Sequence, residues 1–415
     1  MNIGKVGADM AGPLAHIRVL DLSRIMAGPW AGQILADLGA DVVKVERPGA
    51  GDDTRGWGPP FLKDKAGRDT SDAGYFLSVN RGKRSIAVDL ADAEGQKIVR
   101  ALAARADIVL ENFKAGALAK YGLGYDDLGA VNPTLIYCSI TGFGQSGPRR
   151  DQAAYDFMIQ GMSGLMSVTG EADGKPGAGP QKVGVPIVDI MTGMYAAIAV
   201  LAALARRQVS GQGEHVDIGM LDVGASFLAN QAMNYLISGR APRRAGNAHP
   251  NIQPQDVFAT RDGHLVLAVG NDDQFVRFCD VLARPDIARD ERFRTNAGRV
   301  RNNAMLTPLI AELLAARERD HWVRECARVG VPCGPINTVP EVFADEQIKH
   351  RGMLIEIAHP VAGAVPQVAS PMRFKNAPLS HERAPPLLGE HTEEILRELG
   401  WPDAKAHAAS GADDT

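Results

Sequence analysis

Short apolar runs alternate with stretches of helical periodicity through the first half of the chain. HIRVLDL (16–22), DVVKVE (41–46), SIAVDL (85–90), DIVLENF (107–113) and TLIYCSI (134–140) each read as a strand. PWAGQILADLG (29–39) and AEGQKIVRALAARA (93–106) place their apolar residues on one helical face. This alternation predicts parallel βαβ units. The expected fold is α/β, a doubly wound sheet whose ligands sit beyond the carboxyl ends of its strands. The run Val183–Leu204 is nearly free of charge, and it reads as a buried strand before Asp189 and a buried helix after it. In the second half, ISGRAPRRAGNAHPNIQPQ (237–255) is rich in Pro, Gly, Arg and Asn and reads as a linker or binding loop. DVFAT and HLVLAV then predict a hairpin turning at Asp262–Gly263, followed by helical pattern to about Val329. We expect a large domain over 1–225, a linker over 226–244, a small domain over 245–335 and a return to the large domain over 336–415. No internal repeat is visible.

Composition narrows the function. The 415 residues suffice for two domains. A net charge of −4 and 6% aromatic residues argue against a nucleic-acid partner. Four cysteines, Cys138, Cys279, Cys326 and Cys333, form no CxxC pair and suit a reducing compartment, so a cytoplasmic protein is expected. Cys333, in VPCGP, reads as a packed thiol rather than a reactive one. The first residues contain no apolar core of signal-peptide length. The apolar run after Ile187 carries Asp189 and reads as core, so no membrane partner is expected. The tail after Pro402 is expected to fray.

The candidate chemistry centres on Asp189. A carboxylate in so apolar a run must be hydrogen-bonded, paired or functional. It reads either as a helix N-cap or as a covalent nucleophile. The first βαβ unit, Ile17 to Glu46, resembles a mononucleotide-binding half, with Glu46 where a ribose-binding acid often sits. Its turn, SRIMAGPW, lacks GxGxxG, which excludes binding in the NAD manner. TGFGQSG does contain Gly142, Gly144 and Gly147, but no helix follows, so it reads as a mobile surface turn. GEADGKPG has the wrong spacing for a phosphate loop. HExxH and GxSxG are missing, and ten scattered histidines give no metal-ligand spacing, so no metal is expected. Arg47, Arg84 and Lys120, each a solvated charge taken singly, could together meet an adenosine phosphate. Asn112 and Phe113 could hold and pack an adenine or pantetheine amide, or simply end a strand.

These pieces together resemble the class III CoA-transferases, the CaiB/BaiF family. The carrying segments are VLDLSRIMAGPWAGQILADLGADVVKVERPGAGDDTRGWGPP, NRGKRSIAVDL, DIVLENFKAGALAKYG, ITGFGQSGP, QKVGVPIVDIMTG, GHLVLAVGNDDQF, GVPCGPIN and APPLLGEHT, spread over nearly the whole chain. The resemblance implies a Rossmann-like large domain built from both chain ends, a smaller α+β domain, and a homodimer of interlocked rings. It implies that Asp189 attacks an acyl-CoA thioester. It puts coenzyme A contacts at Met26, Ala27, Arg47, Asp89, Leu90, Asn112, Phe113 and Lys120. It puts the acyl group near Tyr155 and Asp156, under a covering loop with Gly246, Asn247 and His249, and Arg24 could hold a distal carboxylate. Coenzyme A then enters as acyl-CoA substrate, with a small carboxylic acid as acceptor and no permanently bound cofactor. Met26 stands where formyl-CoA transferases have glutamine, and AGNAHPN replaces their run of glycines, which argues against formyl or oxalyl transfer. Tyr155 stands where family racemases have a catalytic histidine, which disfavours the alternative, an α-methylacyl-CoA racemase or isomerase. The segment around Asp189 is most similar to members that move coenzyme A between short dicarboxylic acids, with succinyl-CoA or a like thioester as donor.

Overall fold

Six parallel strands organise the first part of the chain: β1 (Arg18–Asp21), β2 (Asp41–Glu46), β3 (Lys83–Ala87), β4 (Ile108–Glu111), β5 (Ile136–Thr141) and β6 (Glu214–Gly219). They lie in the order β3-β2-β1-β4-β5-β6, all parallel to their neighbours. The computed structural model describes residues 12–401; the expected fraying after Pro402 and the reading of the first residues fall outside them. The described residues group into two units. One draws on Met1–Leu165, Val183–Leu228 and Glu346–Thr415, the other on Met166–Lys182 and Ala229–Asp345.

In the first unit, helices α1 (Ala27–Asp37) and α2 (Ala93–Ala103) follow β1 and β3 as the pattern predicted. Asp92 starts α2 by accepting from the backbone N–H groups of Glu94 and Gly95, the usual N-cap device. A short helix α3 (Asp156–Met162) precedes α4 (Ile187–Ser210), and α5 (Met220–Ser226) follows β6. The strand order reverses between β1 and β4, so a crevice opens where their carboxyl ends diverge. Two apolar layers cover the faces of the sheet. Val19, Val42, Ile108 and Ile136 face α1 and α4, while Leu20, Val43, Val109 and Tyr137 face α2 and the C-terminal helix Thr392–Leu399.

Three expectations need correction. Val183–Pro186 is not a strand: α4 begins directly at Ile187, after Gly184, a half-exposed Val185 and Pro186. Proline offers no N–H to a ladder, and glycine weakens a strand. Arg84 does not face a phosphate. It is the second residue of β3, so it lies at the amino end of the sheet, buried and paired with Asp41, Glu394 and Glu398. TGFGQSG is not a loose turn, because Gly144 N–H donates to Thr141 Oγ1 at 2.8 Å and Gln145 N–H to Asp217 Oδ2 at 2.9 Å. Strand β6 and helix α3 had not been anticipated. Helix α4 is long and apolar enough to cross a membrane by composition, but it packs on α1 and β5.

The second unit is built on an antiparallel sheet of β7 (Gln255–Thr260), β8 (Gly263–Ala268) and β9 (Cys333–Pro335), with β8 in the middle. The expected hairpin is present, with Gly263 paired to Thr260. Helices α6 (Asp272–Val281), α7 (Asn303–Ala315) and α8 (Arg319–Arg328) close a core around Phe258, Leu265, Phe275 and Leu306. The Cys333 thiol packs against this core and shares a hydrogen bond with buried Cys326.

A buried ionic network lies under the carboxyl ends of β1–β3. Lys83 Nζ donates to Asp21 Oδ2, Pro29 O and Asn80 Oδ1 at 2.8–2.9 Å. Lys44 Nζ meets Asp52 Oδ2 at 2.9 Å and Ser23 O at 2.8 Å. Burial alone would raise the Asp52 carboxyl, but the Lys44 charge and the hydrogen bonds from Lys44 and Thr54 together outweigh it and hold it at about 2. Its folded value lies below the unfolded one, so its contribution is present above pH 4 and lost as pH falls towards 2. We predict that Asp52→Asn costs about 2 kcal/mol at pH 7, with the difference shrinking towards pH 2. Urea unfolding of both proteins across that range measures it.

Candidate active site

Asp189 is the third residue of α4, not its N-cap. The capping acceptor comes from elsewhere. Asp156, first residue of α3, takes the N–H groups of Val188 at 2.8 Å and Asp189 at 3.2 Å on Oδ1. Its other oxygen accepts from Gln160 Nε2 at 2.6 Å, and Gln160 Oε1 accepts from Val183 N–H at 2.9 Å. One carboxylate thus ties two helices together and satisfies donors that a helix start leaves open. Two acids are thereby brought side by side, both 8% exposed.

Burial pushes the Asp189 carboxyl up, and the neighbouring Asp156 charge adds to it, to about 7. Val188, Ile159 and Met220 pack together there with Phe143 and Ala154 around them, so water does little to stabilise the charge. Tyr75 also faces the pair. Burial raises its phenol to about 12, and the charges of Asp189 and Asp156 contribute. Trp57 packs edge-on against Tyr75, ring centroids 5.2 Å apart. Sequence reasoning had passed over both aromatic residues, for neither belongs to a motif that separates it from ordinary core or loop positions.

Helix α1 reaches the same place. A side chain at Gly193 would strike Ala27 O at 2.5 Å and Trp30 Cβ at 3.0 Å. Gly193 lies one turn beyond Asp189 on the same helix face, so the start of α1 approaches α4 one turn from Asp189, and Met26 just before it is buried. Ile25, just before them, has φ 73°, a costly value for a β-branched residue. Its N–H is held by both oxygens of Asp52 at 3.3 Å.

The crevice beside β1 brings together Arg24, Arg47, Asp89, Leu90 and Phe113 of the predicted residues. A cavity of about 270 Å³ is lined by Leu22, Arg24, Lys44, Glu46, Arg47, Asp52, Asp89, Leu90, Phe113 and Tyr121, among others. Asn112 clamps the loop after β1, accepting from Arg24 N–H at 2.8 Å and donating to Arg24 O at 2.6 Å. The Arg24 guanidinium lies 5.4 Å from the Phe113 ring and pairs with Asp53 at 2.8 Å. Arg24 lines this cleft with Arg47. Lys120 is exposed, its ammonium 4.6 Å from the Tyr121 ring. Glu46 borders the cavity but is not free for a ribose. Arg55 takes both its oxygens, Ser85 donates at 2.6 Å and Asp52 N–H at 3.0 Å.

Tyr155 is 63% exposed beside Asp156. Gly246, Asn247 and His249 belong to the second unit. There Gly246 has φ 61° and donates its N–H to Gly170 O, Asn247 is exposed, and His249 Nδ1 accepts from Asn251 N–H at 3.1 Å. Among the described residues, no group of three or more His, Cys, Asp or Glu side chains forms a metal-ligand set.

The model of CoA-transferase family III matches residues 14–392. The chain belongs to that family. It is 52% identical over 388 residues to the succinate–glutarate CoA-transferase of Agrobacterium fabrum (strain C58), covering 93% of this chain and 96% of that protein. It is 41% identical over 394 residues to the human succinyl-CoA:glutarate CoA-transferase, covering 95% and 87%. A crystal structure of a CaiB/BaiF family protein from Brucella suis matches with a TM-score of 0.82 at 51% identity, covering 94% of this chain and 100% of that one. The family III transferase described here is therefore an enzyme that moves coenzyme A between an acyl-CoA and an acid. Its mixed α/β fold with a parallel sheet is the CaiB/BaiF fold.

The raised Asp189 acid has a consequence for stability. Its folded value lies above the unfolded value near 4, so its ionised form costs stability from pH 4 upward, fully above pH 7. We predict that Asp189→Asn is more stable than the parent at pH 8, on the order of 3 kcal/mol. The gain should vanish towards pH 4. Thermal unfolding of the pair at both pH values checks it.

Proposed function

We propose that this transferase moves coenzyme A from succinyl-CoA, or a like short acyl thioester, to a small dicarboxylic acid through a covalent Asp189 intermediate. The observation that carries the mechanism is the Asp156–Asp189 pair at the start of α4. Asp189 is partly ionised near pH 7, and poor solvation leaves the ionised form nucleophilic. The choice of substrates is supported by the succinyl and glutarate transfer named for the relatives above.

An Asp189 oxygen attacks the thioester carbonyl, the C–S bond breaks, and coenzyme A leaves as thiolate. The mixed anhydride is then attacked at the Asp189 carbonyl by that thiolate, which frees the donor acid and leaves an Asp189–CoA thioester. The acceptor carboxylate attacks this thioester and expels the thiolate again. The thiolate attacks the acceptor's carbonyl of the new anhydride, giving the product acyl-CoA and free Asp189. Thioester energy is conserved throughout. Each addition develops an oxyanion that needs fixed donors, and the amino end of α4 contributes its dipole to the charged acid. The adenosine end of coenzyme A occupies the cleft, with Arg24, Arg47 and Lys120 as cations for its phosphates and Phe113 and Leu90 as apolar walls.

The enzyme works as a homodimer in the cytoplasm on this reading. Phe157 and Ile198, each 60% exposed, and Leu236, 70% exposed, leave apolar helix surface for a second copy. Sedimentation at micromolar protein should give the dimer mass. The described cysteines are all free, three of them buried, which suits a reducing compartment.

Intact-mass analysis after incubation with succinyl-CoA should show an acyl or coenzyme A adduct on Asp189, and Asp189→Ala should show neither adduct nor turnover. Turnover surviving in that variant would refute the mechanism, and solvent deuterium entering the α-carbon of a branched acyl-CoA would favour the racemase instead. Asp156→Asn keeps an oxygen for the two N–H groups but removes the like charge. Its acid limb in kcat should therefore move down by about half to one pH unit. A limb that stays in place would mean Asp156 does not set the Asp189 acidity.

A further inference from the structure

A second buried acid near neutrality lies outside the chemistry described so far. Glu111 ends β4 and is 5% exposed. Among the described residues it forms no ion pair, unlike Asp21, Glu46 and Asp52. Its Oε2 accepts from Phe113 N–H at 2.9 Å, across the turn that lines the cleft. On the other side the Ser139 hydroxyl hydrogen-bonds to it. Ser139 Oγ lies 3.0 Å from His215 Nε2. His215 is held in turn by Tyr125, stacked at 4.7 Å, and by the edge of Tyr137. With the proton on Nε2, every hydrogen in the chain is used. His215 donates to Ser139, Ser139 donates to Glu111, and Glu111 accepts from the backbone of Phe113.

We propose that Glu111 is a proton-dependent positioning residue for coenzyme A: ionised, it holds the Asn112–Phe113 turn against the cleft, and protonated, it loosens that turn. This rests on the reading of the cleft given above. A charged acceptor binds an N–H more strongly than a neutral carboxyl does. The same turn grips Arg24 through Asn112 and faces its guanidinium with Phe113, so slack there reaches two groups of the cleft. Burial raises the Glu111 acid to about 7, the hydrogen bonds from Ser139 and Phe113 work against it, and Asp217 adds to it. The titratable groups facing it are Tyr137 and Cys138 on β5 and His215 and Asp217 around β6. Burial lowers the His215 imidazole against the pull of Asp217, Asp126 and Glu214, so Glu111 rather than His215 gains the first proton below neutrality.

The test is titration calorimetry of the full chain with coenzyme A between pH 6 and 8.5. The ligand's own phosphate titrates in that range, so the readout is the ratio of dissociation constants, Glu111→Gln over the parent. Glutamine keeps a neutral acceptor at every pH. The ratio should be about fivefold at pH 8.5 and approach one at pH 6. A ratio independent of pH, at one or at any larger value, overturns the proposal, since a purely structural strut behaves so. Ser139→Ala supplies a second measurement if Glu111→Gln fails to fold. Losing that hydrogen bond should move the midpoint of the parent's affinity change to higher pH, and an unmoved midpoint overturns the proposal equally. A parent protein that does not bind coenzyme A at all would overturn the cleft reading itself, and this inference with it.

Discussion

The rest of the site depends on charges buried under the carboxyl ends of β1–β3. Lys83 with Asp21, Lys44 with Asp52, and Arg55 with Glu46 and Asp72 are all almost wholly removed from water. Breaking one such pair strands the other charge, which is far costlier than losing a surface bridge. Their geometry is therefore stiff. Asp52 in turn holds Ile25 in its strained backbone state, and Lys44 anchors Ser23 O. The loop that starts α1 has little freedom, and α1 lies directly on Gly193 of α4. The network thus fixes the cleft floor and the approach to Asp189 at once.

Five of the buried acids fall into two groups. Asp21, Glu46 and Asp52 each meet a cation and sit below the usual carboxylate range, where neighbouring charges and hydrogen bonds together outweigh burial. Asp189 and Glu111 meet none and are raised to about 7. The first group builds, and in the second burial opposes ionisation without a cation to offset it. Such separation of environments is the usual mark of acids kept for chemistry or switching. The two raised acids sit at different stations. Asp189 stands beside Asp156 at the start of α4, and Glu111 stands behind the turn that borders the cleft.

Much of the scaffold was legible in the residue pattern. Five of the six central strands and both flanking helices announced themselves by period and by their turns. β6 did not, since GEHVDIG mixes Glu214, His215 and Asp217 with only two large apolar residues and resembles a loop. The break at Val183–Pro186 was misread because apolar content outweighed the meaning of Gly184 and Pro186. Within the site, Asp189 stood out as a charge in an apolar run. Asp156 came only from resemblance, and its role as the cap of α4 was invisible, because its partners lie about 30 residues away. Glu46 was misjudged for a related reason. Its position at a strand end suggests a ribose acid, but Arg55, Ser85 and Asp52 already fill its oxygens.

Local pattern, then, sufficed for most of the alternating elements, for the resemblance to the family and for marking Asp189 as a charge in an apolar run. Those follow from periodicity and motif order, which are properties of neighbouring residues. Folding alone decided which charges are spent on one another and which stay free for substrate. Coulomb attraction and hydrogen bonding act over a few ångströms of space, and the Arg84–Glu398 pair joins residues 314 positions apart in the chain. Arg84 shows the difference most plainly. Its residue type and motif match those of a phosphate-binding cation, yet one end of a parallel sheet gives it three carboxylates and the other end would have given it a ligand.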